Sequence, residues 1–497
     1  MKKILIFAVI AVILTLSINS CTPEPGGNEE EGNFWAQNTV TDKFYKFYAD
    51  KLYENAHCTV WVERNSNVTS ATAEKIGNEY STQIRPKMVS AFGWTASNTD
   101  TMSYADTLGD GDGKLCILLL DIKDDYEEGV NDSYVAGYFY AVDFFNDFQV
   151  MSEGVRSNER DMIYIDTYPG LDNADDPDVM AGVFRTLAHE MQHLMNFVTT
   201  AAIRSNVNEN GQITDLFPMD TWIDEGLSSA AEYIYNSVHP PIRWHWYNSN
   251  GGGEGRINKG NNFFVWGNYK NEMYAILDDY ATVYLFFQWL RLQSGVNSSK
   301  IYKDIMVSSD SDYKAVTSSA SSNIENGYNT WEKLLGDWLS ANFINNTSGR
   351  YGYMNDSTLK QIKAPYAPKA SSIWLSPGEG VYSYADNSTF PSQSGNIRYA
   401  GLSSSGRKGT IANGETLLSF NVNPTKTGNS ENATMTNNTP PAPPSPNINI
   451  AGSRSADGIQ KFKGPFPIGA EGIIRNIRDL DLTGISMRGI LPEAINE

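Results

Sequence analysis

The chain has 497 residues, with 58 acidic against 38 basic side chains, a formal net charge of −20 and only five histidines; its sequence pI is near 4.7. An acidic excess of this size excludes nucleic acid as a partner, because phosphate contacts need clustered lysine and arginine. It suits an exported, soluble body.

Met1, Lys2 and Lys3 precede an apolar run over residues 4–16, and Ser20 then stands directly before Cys21. The run is too short for a comfortable membrane-spanning helix and reads as an export signal over residues 1–20. The small residue before cysteine resembles a bacterial lipoprotein cleavage site. Cys21 would then carry lipid and tether the chain to the cell envelope, at the outer membrane or cell surface; a plain secretory signal is the alternative. Residues 22–33 hold two prolines, three glycines and three consecutive glutamates, and so read as a flexible tether.

From residue 34 to about 169, strand-like and helix-like segments alternate. Residues 59–62 and 115–121 are apolar runs with a helical pattern over 71–92 between them, which predicts a β-α-β unit. Residues 163–166 predict a further strand. Asp110, Gly111, Asp112 and Gly113 resemble half of a calcium loop, but later acidic ligands are missing and the segment runs straight into a strand, so a tight turn is the expected role. Cys58 and Cys116 sit at strand-like segments, where either a disulfide or two buried free thiols would fit.

His189 and His193 stand four residues apart with Glu190 directly after the first. Val183, Phe184, Leu187, Met191, Leu194 and Met195 recur at helical spacing, so one stripe faces a core while the two imidazoles emerge one turn apart and reach one ion. Zinc suits them, since a zinc site that does chemistry takes three protein ligands and leaves a position for water. In an H-E-x-x-H arrangement the glutamate stands beside that water as general base. A metzincin would continue with Gly and His where Asn196 and Thr199 stand, which excludes that class. A carboxylate from a second helix is the usual third ligand, and residues 222–232 supply Glu225 as the first candidate, with Asp224 and Glu232 as alternatives; Glu232, two turns along the same face, would otherwise orient a ligand or simply solvate that face.

The passage 235–273 is rich in aromatics and glycine, and its expected role is either a wall or lid of a cleft or a surface excursion. Residues 279–292 and 330–343 read as helices of a lobe closing the site. After about residue 350 short strand-like pieces, serine, glycine and proline take over, with a proline-rich loop at 440–444. Residues 350–497 are therefore expected to form a mainly β accessory region.

His189, Glu190 and His193 followed by Trp222, Glu225 and Gly226 resemble the gluzincin zinc peptidases. With the segment 159–169 upstream and Asp279, Tyr280 and Tyr284 downstream, residues 58–345 are similar to the hyicolysin family of secreted bacterial metallopeptidases. The resemblance implies an α+β fold with a thermolysin-like centre over residues 34–349, a mixed sheet plus the H-E-x-x-H helix and a helical lobe. It implies zinc on His189, His193 and Glu225, with Glu190 as base. It also implies that Tyr280, or else Tyr284, donates to the developing oxyanion. The G-x-M-E-N signature of the aminopeptidases is absent, which favours an endopeptidase acting on proteins or peptides. The rival from another class is a surface lipoprotein that keeps the fold for binding or adhesion.

Overall fold

The computed structural model describes residues 32–436, apart from 97, 132, 211, 254, 262–263, 265, 267–274 and 296–297, together with 466–468, 480–483 and 485–487. The expected signal, Cys21, nearly all of the tether and the proline-rich loop lie outside the described residues.

Strands β1 (Asn33–Asn38), β2 (Lys43–Glu54) and β3 (Cys58–Glu63) form an antiparallel meander. Thr69 caps α1 (Ser70–Glu79) by accepting from the Thr72 N–H, and one π turn at Tyr80–Ile84 joins it to α2 (Arg85–Phe92). A two-residue ribbon, β4 (Thr95–Ala96) with β5 (Thr99–Asp100), then precedes α3 (Thr101–Leu108). The chain returns as β6 (Leu115–Leu120), parallel to β3, so the expected β-α-β unit is present. Next come β7 (Ser133–Val135), β8 (Gly137–Phe139), the single turn α4 (Asp147–Val150) and β9 (Met162–Asp166). The resulting mixed sheet has the order β1-β2-β3-β6-β9-β8, with β8 antiparallel at its edge. Every residue of β6 and β9 is buried, as in a parallel pair covered on both faces, with the apolar run of β6 and the alternation of Ile163 and Ile165 with Tyr164 in β9 filling that interior.

The register pairs Cys58 with Leu115 and Thr59 with Cys116. That one-residue offset puts the two cysteines on opposite faces of the sheet, and they are two buried free thiols.

The long helix α5 (Pro177–Ile203) lies against β8 and β9. A hairpin of β10 (Ser205–Val207) and β11 (Ile213–Leu216) leads to α6 (Thr221–Asn236), α7 (Pro241–Ser249) and α8 (Ala275–Gln293). The helical region is completed by α9 (Lys300–Met306), α10 (Tyr313–Asn323) and α11 (Trp331–Ile344). The passage 235–273 is no surface excursion in its described part: it folds as α7 and two short 3₁₀ turns, with Trp244, His245, Trp246 and Tyr247 buried. Trp246 Nε1 donates to Asp278 Oδ1 of α8 at 2.7 Å, which ties α7 to the next long helix.

Helix α6 packs close to α8 because it carries Gly226 at the contact. A Cβ there would meet Phe287 ring carbons at 2.2 and 2.4 Å, and Phe287 is wholly buried. Gly226→Ala should therefore destabilise the protein by about 1–3 kcal/mol through overpacking, measured by denaturant unfolding. An unshifted midpoint would contradict this packing.

Beyond α11 lie β12 (Ser372–Leu375), β13 (Gly380–Tyr384), β14 (Ile397–Ser403), β15 (Gly406–Lys408), β16 (Thr416–Asn421) and β17 (Glu431–Thr434). They form the four-stranded sheet β13-β16-β14-β15 and the pair β12-β17. This β region folds back on α11. Tyr382 Oη donates to the Leu339 carbonyl at 2.7 Å, and the buried Asp337 receives Arg350 and Arg407, each at 3.3 Å. Further on, β18 (Phe466–Ile468) pairs parallel with β7, and Ser486 and Met487 bridge to Gln212 and Phe145. The C-terminal residues thus return to the first half of the chain.

Candidate metal centre

The centre is built where α5 and α6 cross. Pro177 at the first position and Asp176, whose side chain accepts from the Asp178 N–H, start α5, and its apolar stripe from Met180 to Val198 fixes its rotation against the sheet. With that stripe buried, His189 and His193 stack one turn apart, their ring centroids separated by 4.9 Å. Helix α6 brings Glu225 opposite them. Glu225 Oε2 lies 3.2 Å from His189 Nε2, and Glu225 Oε1 lies 3.7 Å from His193 Nε2. One ligand atom from each residue falls within 4.8 Å of the others, and all three residues are buried.

The outer nitrogens of both imidazoles are held by carboxylates of the same α6. His189 Nδ1 meets Glu232 Oε1 at 3.1 Å, and His193 Nδ1 meets Asp224 Oδ1 at 3.1 Å. Each carboxylate is itself held. Arg243 of α7 donates from Nη2 to Glu232 Oε1 at 2.7 Å, while Asn196 Nδ2 donates to Asp224 Oδ1 at 2.5 Å and Arg204 Nη2 reaches Asn196 Oδ1 at 3.4 Å. Carboxylates on Nδ1 fix each ring so that Nε2 points at the common centre. Glu225 and Glu232, seven residues apart on one face of α6, are both used; Asp224, about a quarter-turn away, reaches past them to the second histidine. The alternatives Asp224 and Glu232 thus sit behind the imidazoles, where they orient rings rather than join the three converging atoms.

Electrostatics follow from burial. Burial alone would lower the pKa of His189, but Glu225 and Glu232 beside it raise it to about 9. His193 is likewise raised, against burial, by Asp224 and Glu225. Burial would raise Glu232, yet Arg243 and His189 hold it at about 2. Glu225 Oε1 is buried with no hydrogen-bond partner among the described residues. Two imidazole nitrogens plus one carboxylate, with an orphaned oxygen at their centre, fit the donor set that zinc takes.

Glu190 is 3% exposed and lies beside this set. Burial raises its pKa, while both imidazoles and, least, the Phe139 backbone of edge strand β8 pull it back. The Tyr280 ring stands 6.0 Å from the His189 ring, with the Arg243 guanidinium 4.4 Å over its face and Trp266 4.9 Å from it. Tyr284, one turn on, is directed elsewhere: its hydroxyl is 2.5 Å from His239 Nδ1, and His239 Nε2 meets Asp356 at 3.2 Å. Of the two tyrosines, only Tyr280 adjoins the centre. Arg243 carried no signal in the sequence beyond being a cation among tryptophans at helical spacing, a place where a buried guanidinium needs a carboxylate.

A mixed α+β fold that brings two imidazoles and a carboxylate to one point, beside a buried glutamate, defines a candidate mononuclear metal centre. No family model matches the chain. It is similar to the neutral metalloprotease ShpI of Staphylococcus hyicus, 31% identical over 274 residues, which make up 55% of this chain and 54% of that protein. The chain thus spans about half the length of this curated relative, and the likeness supports a metalloprotease reading.

Proposed function

We propose that the chain is a zinc-dependent endopeptidase of the gluzincin type, and within it of the hyicolysin family, that hydrolyses peptide bonds of extracellular proteins. The observation that carries this reading is the convergence of His189, His193 and Glu225 beside the buried Glu190. The centre belongs to residues 34–349, with 350–497 as an accessory region. His189, His193 and Glu225 would hold the ion, which when bound supplies a Lewis acid for the scissile carbonyl and lowers the pKa of the attacking water. Glu190 accepts a proton from that water and returns it to the departing amine. Burial raises its carboxyl above the ordinary range, which makes it a better proton acceptor. Glu232 and Asp224 hold the imidazoles in place as charge builds up.

Strand β8 is the edge of the sheet and lies beside Glu190, so an extended peptide added along it would pass the centre, which suits an enzyme that cuts within chains. Tyr280 donates to the oxyanion on the scissile carbonyl. Tyr280→Phe should lower the rate about a hundredfold to a thousandfold with zinc content unchanged, as for the loss of one oxyanion donor. An unchanged rate would remove Tyr280 from the chemistry.

Exopeptidase and endopeptidase are separated by an internally quenched peptide with an acetylated amino end. Cleavage of it at an internal bond is expected; cleavage only of peptides with a free amino end would overturn the endopeptidase reading.

Lipid on Cys21 would hold the enzyme at the envelope. Among the described residues no helix is long and apolar enough to cross a membrane. In detergent phase separation the wild type should enter the detergent phase and Cys21→Ala the aqueous phase. Aqueous partition of both would mean a freely secreted enzyme.

A further inference from the structure

Where α3 runs into β6, at the N-terminal ends of β6 and β9, three aspartates converge. One carboxylate oxygen each from Asp106, Asp110 and Asp112 lies within 4.8 Å of the others. Gly111 and Gly113 take φ values of +77° and +80°, which fold the loop back on itself. Such a turn, with the Gly113 N–H donating to Asp106 Oδ1 at 2.5 Å, is the tight turn expected from the sequence. By itself it calls for no ion.

Asp161 does. It lies beneath the loop, is 2% exposed, and its Oδ1 has no hydrogen-bond partner among the described residues. It is aimed at the loop: a Cβ on Gly109 would meet Asp161 Oδ1 at 2.5 Å and Asp161 N at 2.6 Å, so only glycine lets the loop backbone lie on this carboxylate. Burial first, and then the charges of Asp110, Asp106 and Asp112, push the Asp161 carboxyl well above its ordinary range. The cations nearby do not close the balance. Lys114 is turned to Glu54 at 2.5 Å, and Arg160 comes no closer than 4.0 Å to Asp110 while its guanidinium lies over Phe34. Three converging carboxylates and a buried fourth, one of whose oxygens has no hydrogen-bond partner among the described residues, thus share a corner with one distant guanidinium.

We propose that the loop from Asp106 to Lys114 binds one calcium ion, with Asp106, Asp110 and Asp112 as ligands and Asp161 supplying charge from beneath. The donors are all oxygen, which disfavours zinc. The loop is solvent-facing and irregular, which suits calcium, since it accepts six to eight oxygens including water, better than magnesium with its strict octahedron. The ion would fasten the end of α3 to the start of β6, the strand beside β9 at the centre of the sheet. This site is independent of the zinc reading.

The test uses the full chain, with zinc saturating in every arm. Calcium titrated by calorimetry should bind at one ion per chain with a Kd of about 0.1–1 mM, and the thermal midpoint should climb with calcium above that concentration. Asp110→Asn with Asp112→Asn should abolish both responses. Asp161→Asn should weaken calcium binding about tenfold, yet leave the calcium-free protein no less stable, because it removes a buried unpaired carboxyl. A loop that is only a turn would show no saturable calcium binding in the wild type up to about 10 mM, and that result overturns the proposal even if the variants fail to fold. Equal responses in wild type and double variant, or magnesium binding as tightly as calcium, would overturn it too.

Discussion

Replacing Glu190 by Gln should cut the hydrolysis of an unfolded protein such as casein by roughly a hundredfold to ten-thousandfold, the usual contribution of a positioned proton acceptor. The change is nearly isosteric, and Glu190 is not among the three residues whose ligand atoms converge. Because the amide keeps the volume of the carboxyl, fold and zinc content should both survive. The loss is confined to the base. Because burial raises the carboxyl and the imidazoles lower it, Glu190 is poised to take a proton and give it up again, and an amide does neither. Equal rates for the two proteins at equal zinc content would show that the glutamate is a bystander.

Glu225→Ala should act on the metal itself. Two imidazoles alone leave zinc under-coordinated, and the variant also strips His189 Nε2 and His193 Nε2 of the carboxylate they face at 3.2 and 3.7 Å. Zinc affinity should fall by more than the tenfold to hundredfold that an orienting partner costs, and activity should fall with it. Asp224→Asn provides that comparison, since it disturbs the hold on His193 Nδ1 and the bond from Asn196 but leaves the three converging residues in place. Glu232→Gln is a less clean comparison: it would leave the Arg243 guanidinium buried without its carboxylate, a loss of about 3–5 kcal/mol that must be read from unfolding in parallel. Elemental analysis after dialysis decides the matter, and a full zinc complement in the Glu225 variant would take that residue out of the centre.

These residues differ in how far the sequence revealed them. His189, Glu190 and His193 were legible because helical period alone puts i and i+4 together, and the apolar stripe around them says which way the helix turns. Glu225 was legible as a candidate. Three carboxylates on one helix stayed ambiguous because the angle and depth at which α6 crosses α5 decide which of them reaches Nε2 and which reaches Nδ1. The position of α6 rests in turn on its other neighbour, α8, where Gly226 lies against Phe287, a contact no local pattern encodes. Arg243 and the order in which α7 packs on α8 were hidden in a passage whose aromatic and glycine content looks like a loop. The β-α-β unit followed from periodicity, but the one-residue offset of Cys58 from Cys116 followed only from register. The return of β18 to β7 links residues more than three hundred positions apart, and strand pairing over that distance leaves no signal in a single sequence.

Chelation and reconstitution on an unfolded substrate bear most directly on the central claim. Wild-type protein stripped of metal should lose casein cleavage, and added zinc should restore it in proportion to occupancy, saturating at one ion per chain, provided the fold outlasts the metal-free state. The fragments should begin at internal bonds. A chain that carries its full zinc ion and cuts none of a panel of unfolded proteins would contradict the account and leave a metal-bearing binding surface in its place.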